Sequence, residues 1–100
     1  MKGTILLFFV LALPVASSSQ SALEYYNSGI EKFRDGYDEE ASADLNKAIE
    51  LDPNYSDYYE GRGQSKIELG QKATGCVDFR VAANMKNPRA IELVKEHCDI

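Results

Sequence analysis

Apolar side chains recur every three or four residues along most of the chain, the spacing that places them on one face of an α-helix. The first such run extends from Leu23 to Phe33. It is followed by Gly36, and glycine tolerates the left-handed backbone of a helix end. Ser21 and Glu24 fit a capping box, in which two side chains satisfy free backbone N–H groups. The pattern therefore predicts a first helix that has Ser21 as its N-cap and ends near Gly36.

Four further helices follow from the same periodicity and from the residues that interrupt it. Acidic residues at 38–40 suit the positive end of a second helix, and Pro53 stops that helix because the residue before a proline is driven out of the helical region. Gly70 ends a third helix, and Pro88 after Asn87 suits the first turn of a fifth. Strand signals are weak, so the sequence predicts an all-α fold with antiparallel neighbours. These four helices are predicted at residues 38–51, 56–69, 72–85 and 88–97.

The chain also matches itself at an offset of 34 residues. Conservative partners such as Leu45 and Phe79 lie between the identical residues. A fixed period of this size is typical of stacked-repeat proteins, which usually hold another molecule rather than catalyse a reaction. The identical pairs are Tyr25 and Tyr59, Gly29 and Gly63, Lys32 and Lys66, Gly36 and Gly70, Asp44 and Asp78, and Ala48 and Ala82.

The repeated residues resemble the tetratricopeptide repeat (TPR), which combines an aromatic residue, a glycine four residues later and alanines on the facing helix. The segment KAIELDPN at residues 47–54 is close to the usual ending of that repeat. The resemblance implies two helix-turn-helix repeats, residues 22–55 and 56–89, and a C-terminal capping helix at residues 88–98. It implies a short right-handed α-solenoid.

Some positions depart from the family pattern. The glycines at Gly29 and Gly63 fit it, since they let paired helices approach closely. The departures are Ser28 and Arg62 in place of leucine, and Lys32 and Lys66 in place of the second aromatic residue.

Two cysteines lie in the helical part of the chain, Cys76 near the start of the fourth helix and Cys98 at the end of the fifth. Antiparallel packing brings the start of one helix beside the end of its neighbour, so we expect a disulfide between them. The bond would close a loop of 22 residues and contribute about 3 kcal/mol, which helps because about three repeats are normally needed for stability. The alternative is two reduced, buried cysteines that act as small apolar residues.

The N-terminal segment has the order of a secretory signal peptide at residues 1–18. Lys2 supplies the positive charge, and residues 5–13 form an unbroken apolar run that Pro14 ends. Small residues follow, and we predict cleavage after Ser18, with the bonds after Ser17 and Ser19 as close alternatives. An uncleaved anchor is the alternative interpretation, but a membrane span needs about 20 apolar residues.

Charge and residue types exclude several classes of function. The formal net charge of −5 and the lack of a Lys/Arg run argue against nucleic acid and anionic membranes as partners. His97 is the only histidine, so no catalytic triad is credible. Its spacing from Cys76 and Cys98 does not match a zinc site. We therefore expect no catalytic residues, no metal and no cofactor.

The remaining candidate is a surface. In TPR proteins the first helix of each repeat lines a concave groove that binds extended peptides or partner helices. Aromatic and aliphatic residues from the first repeat and acidic residues from the second would suit a partner with an apolar face and a basic flank. Alternatively, Phe33 and Ile67 pack only between the repeats. By the resemblance, the groove residues are Tyr26, Asn27, Ile30, Phe33, Arg34, Asp57, Glu60, Gln64, Ile67 and Glu68.

The sequence thus predicts a non-catalytic protein–protein interaction module that is exported to the periplasm or secreted, without a membrane span in the mature chain. Short exported repeat proteins with a cysteine in the closing helix resemble bacterial envelope proteins. Two alternatives stay open: a self-associating structural homo-oligomer, and an accessory subunit of an envelope enzyme complex.

Overall fold

The computed structural model describes residues 18–98, and this part of the chain contains five α-helices and no strand. Each helix packs against the next along the chain, and α1 also contacts α3. The prediction of an all-α fold is confirmed. The predicted signal peptide lies outside the described residues except for Ser18. The helices are α1 (Ser18–Arg34), α2 (Asp38–Leu51), α3 (Ser56–Glu68), α4 (Lys72–Asn84) and α5 (Pro88–His97).

The start of the first helix differs from the prediction. Ser21 lies inside α1 rather than at its N-cap, because α1 already includes Ser18. The residues at 18–20 are two serines and a glutamine, none of which interrupts a helix as proline or glycine would. Ala22 is fully buried one residue later, so packing holds this part of the helix in place. The boundaries of the other four helices agree with the prediction to within one residue.

The turn within each helix pair ends in the same way. Gly36 and Gly70 have φ angles of 87° and 79°, the left-handed conformation that glycine adopts at no cost. The residue after each glycine donates its N–H to a carbonyl five residues earlier, as from Tyr37 to Lys32 at 2.8 Å. This is the Schellman arrangement, which satisfies carbonyls at a helix end. Lys86 repeats it at the end of α4 with a φ of 71°.

Small residues bring the paired helices together. A Cβ atom added to Gly63 would lie 2.6 Å from ring carbons of Phe79, so only glycine fits there without movement. Ala41, Ala48 and Ala82 are fully buried on the facing helices, as are Leu45 and Phe79, the large side chains between them. The close approach that the sequence predicted for these glycines is present in α3 and α4.

The last helix does not continue the 34-residue register. Tyr58 is 2% exposed on α3, yet Glu92, which lies 34 residues later, is exposed on α5. Leu93 takes the buried position instead, at 7% exposure. A shift of one residue turns a helix by about 100°. As a result, α5 presents different positions to its neighbours from those that the repeat pattern implies.

Two contacts hold α5 in place. At its start, the Asn87 side chain accepts the N–H of Ala90 at 2.9 Å and donates to Ser56 and Asp57 of α3. At its end, Cys98 forms a disulfide with Cys76 of α4, with a Cα–Cα distance of 5.7 Å. The predicted pairing is confirmed, and it indicates an oxidising compartment.

Candidate binding groove

A cavity of about 190 Å³ lies where α1, α3 and α5 meet. We call it the groove cavity. It is smaller than the roughly 300–1,000 Å³ typical of sites for drug-sized ligands, so it suits one or two side chains of a partner rather than a cofactor. Its lining residues are Phe33 of α1, Gln64, Ile67 and Glu68 of α3, Phe79 of α4, and Arg89, Leu93, Glu96 and His97 of α5.

The floor of the groove cavity is apolar. Phe79 is fully buried and Leu93 is 7% exposed, while Phe33 and Ile67 are half-buried. The ring of His97 packs near that of Phe79, with centroids 6.0 Å apart. An apolar side chain placed here would lose its hydration against carbon on several sides, which is favourable by about 25 cal/mol per Å² of apolar area.

Carboxylates lie beside this apolar floor. The Glu60 side chain is only 14% exposed and accepts a hydrogen bond from Gln64, while Arg89 is 3.8 Å away and itself mostly exposed. Burial raises the pKa of the Glu60 carboxyl, and the nearby Asp57 raises it further, against the opposing effects of Arg89 and Gln64. The long distance to Arg89 leaves Glu60 with little direct compensation for its burial.

Tyr26 belongs partly to the core. Its ring packs on that of Tyr58, with centroids 5.1 Å apart, and it contacts the buried cluster that includes Ala48. Burial raises the pKa of the Tyr26 hydroxyl, and the charges of Asp57 and Glu60 add to this effect. Tyr26 therefore lies within electrostatic range of both carboxylates, but much of its ring is engaged in packing.

The ten residues predicted for the groove take different positions. Phe33, Gln64, Ile67 and Glu68 line the groove cavity together. Ile30 approaches α3 at Gly61, where an added Cβ would lie 3.4 Å from its Cδ1 atom. The others are Tyr26 in the core contact described above, Asp57 and Glu60 at the contacts with Asn87 and Arg89, and Asn27 and Arg34 exposed on α1.

The sequence analysis assigned no groove residues to α5, although this helix supplies four of the lining residues. It treated α5 only as a closing helix. The available signal was the spacing of Leu93 and His97, which places both on one face of the predicted helix. Their contact with the groove depends on the one-residue shift of α5, which no periodicity announces.

The described residues were also searched for other kinds of site. Between residues 18 and 98, no three His, Cys, Asp or Glu side chains are grouped so that they could hold a metal ion. None of the helices in that part of the chain has the length and apolar content needed to cross a membrane.

No model of a known protein family matches this chain, and no curated protein matches its sequence. The TPR resemblance therefore stays a prediction from the residues.

Proposed function

We propose that this protein is an exported, non-catalytic interaction module of the TPR type, which binds a peptide or partner helix in a groove along α1, α3 and α5. The observation that carries the proposal is the groove cavity itself. It joins Phe33 from the first repeat, Ile67 from the second and Leu93 from the last helix around one apolar space. Three helices distant in sequence thus contribute to a single surface.

The chemistry of the groove defines the kind of partner. An apolar side chain would enter the groove cavity, and a lysine or arginine nearby would face Glu60, Asp57 and Glu68. A cation paired with Glu60 would be worth more than an exposed pair, because water screens the buried carboxylate less. We therefore expect an apolar segment with a basic flank to bind in preference to an acidic one.

Export is supported by two observations of different kinds. The Cys76–Cys98 disulfide fits a periplasmic or extracellular location, since such bonds persist in oxidising compartments. The order of charged, apolar and small residues at 1–18 fits a signal peptide.

The test is affinity capture by the tagged chain without residues 1–18, followed by mass spectrometry of the proteins retained. Phe33→Ala and Ile67→Ala together should remove a groove partner, because anchors of this kind typically contribute about 1–3 kcal/mol each. Tyr37→Ala is the matched control, since Tyr37 is 58% exposed and lies outside the groove cavity. A partner retained equally by both variants contradicts groove binding.

Self-association is a second proposal, supported by the exposed edge of α1. Leu23 and Tyr25 are 46% and 38% exposed there. Sedimentation at micromolar concentration distinguishes the two, because self-association predicts at least twice the monomer mass. A Leu23→Ser, Tyr25→Ser variant should then return to the monomer mass.

A further inference from the structure

The disulfide lies at the surface rather than within the core. A depression of about 490 Å³ is lined by Lys72, Ala73, Cys76, Arg80 and Cys98. Cys76 is 5% exposed, whereas Cys98 is half-exposed at the end of α5. A small molecule in this depression would reach the sulfur of Cys98 first.

The charges around the bond are positive. Lys72 and Arg80 lie four residues before and four residues after Cys76 on α4, so both share its face of the helix. Two cations at this spacing stabilise a thiolate on Cys76 relative to the neutral thiol. They also raise the local concentration of anionic molecules in the depression.

We propose that the Cys76–Cys98 bond is an exchange site for an anionic low-molecular-weight thiol. The sulfur of the incoming thiolate attacks Sγ of Cys98 and forms a mixed disulfide with it. The Sγ–Sγ bond breaks, and its electron pair leaves on Cys76 as a thiolate held by Lys72 and Arg80. A second thiolate then attacks the mixed disulfide, which releases the small-molecule disulfide and a thiolate on Cys98. The two protons of the incoming thiols end on the two cysteines.

Opening the bond changes the groove, and this part of the inference rests on the proposed function. A helix of ten residues is too short to be stable alone. Asn87 would still hold its start, but its end would lose the link to α4. Leu93, Glu96 and His97 lie toward that end and line the groove cavity. Exchange at the disulfide would therefore loosen one wall of the groove.

The first experiment measures exchange in the native protein with two thiols, anionic glutathione and neutral 2-mercaptoethanol. N-ethylmaleimide quenching and peptide mapping should show alkylated Cys76 and glutathione on Cys98. In Lys72→Gln, Arg80→Gln the rate constant with glutathione should fall about 3- to 10-fold, and that with 2-mercaptoethanol should change little.

The control is Lys47→Gln, because Lys47 lies on α2 away from the disulfide and is half-exposed. The proposal is wrong if Lys47→Gln slows glutathione as much as the double variant does. It is equally wrong if the adduct forms on Cys76, or if the native chain exchanges no faster than it unfolds.

The second experiment follows α5 by hydrogen exchange and needs no partner, so it is readable even where the proposed function fails. The Cys98 amide donates to the Val94 carbonyl at 2.8 Å, and reduction should speed its exchange by at least about 10-fold. Amides in α1 should not change. Unchanged protection at the end of α5 after reduction would overturn the link to the groove, whatever the capture experiment finds.

Discussion

The two helix pairs carry the same aspartate in different surroundings. In the first pair, Asp44 accepts hydrogen bonds from Ser28 at 2.7 Å and Lys32 at 2.8 Å, and its side chain is 17% exposed. In the second pair, the equivalent Asp78 is 3% exposed. It accepts two hydrogen bonds from Arg62, both at 2.8 Å, and pairs with Lys66 at 3.1 Å.

The difference follows from position in the stack. α3 and α4 have helices on both sides, with α2 before them and α5 after them, whereas α1 and α2 have a described neighbour on one side only. Arg62 also reaches Asn46 on α2 at 2.7 Å and lies over the Tyr59 ring. Ser28 occupies the equivalent place in α1 and makes its recorded bond within its own pair. An inner repeat can therefore use a long cation where the outer repeat uses a short hydroxyl.

The comparison also explains the lysines that depart from the family pattern. Lys32 and Lys66 replace an aromatic residue, yet each pairs with the aspartate twelve residues later. Both members of each pair recur at the 34-residue offset, so the sequence contained the signal. The pairing shows that the two departures in each repeat form one polar cluster.

The largest expected effect comes from Asp78→Ala. Removing this carboxylate leaves Arg62 and Lys66, both about 20% exposed, without their buried counter-charge. We expect a loss of about 3–5 kcal/mol in the free energy of unfolding. Urea denaturation of Asp78→Ala and Asp44→Ala measures the comparison, since the exposed site should lose only about 1 kcal/mol. Equal losses would show that burial does not distinguish the two pairs.

If Asp78→Ala does not fold, Asp78→Asn provides the measurement. An asparagine fills the same volume and keeps one acceptor oxygen for Arg62. Its loss should still exceed that of Asp44→Asn.

An intermediate effect is expected when alanine replaces the paired glycines. A Cβ at Gly63 would lie 2.6 Å from the Phe79 ring, which cannot move easily, whereas at Gly29 the nearest atom is Leu45 Cγ at 3.0 Å. Gly63→Ala should therefore destabilise by about 1–3 kcal/mol even after the gain in helix propensity. Gly29→Ala should cost less. Thermal unfolding of both variants tests this, and a larger loss at Gly29 would refute it.

The smallest effect is a pH dependence at the first pair. Burial alone would raise the pKa of Asp44, but hydrogen bonds from Lys32 and Ser28 outweigh it and lower the pKa below 3.8. The stabilisation is therefore present above the unfolded pKa and is lost as pH falls through the lower folded value. We expect Asp44→Asn to be less stable than the parent by under about 1 kcal/mol at pH 6.

This difference should shrink toward pH 2, where the parent carboxylate is also protonated. Urea titrations at several pH values measure it. A gap that stays constant to pH 2 would assign the loss to something other than the charge of Asp44.

Sequence reasoning predicted most of the fold and part of the site. Helices α2 to α5 and the disulfide were predicted because prolines, glycines and helical spacing act locally. The start of α1 was wrong because a capping box also forms part of ordinary helix when nothing upstream interrupts it. Of the groove cavity, residues from α1 and α3 were predicted, but those from α5 were not.

By itself, the sequence determined which segments are helical, which helices pair through small residues, and which residues repeat. These properties depend on neighbours within about one turn or on an offset that can be read directly. The tertiary structure alone decided that Asp78 is buried while Asp44 is not, and that Leu93 rather than Glu92 faces the stack. Both depend on the rotation and contacts of helices distant in sequence. One residue of register there changes the face by about 100°.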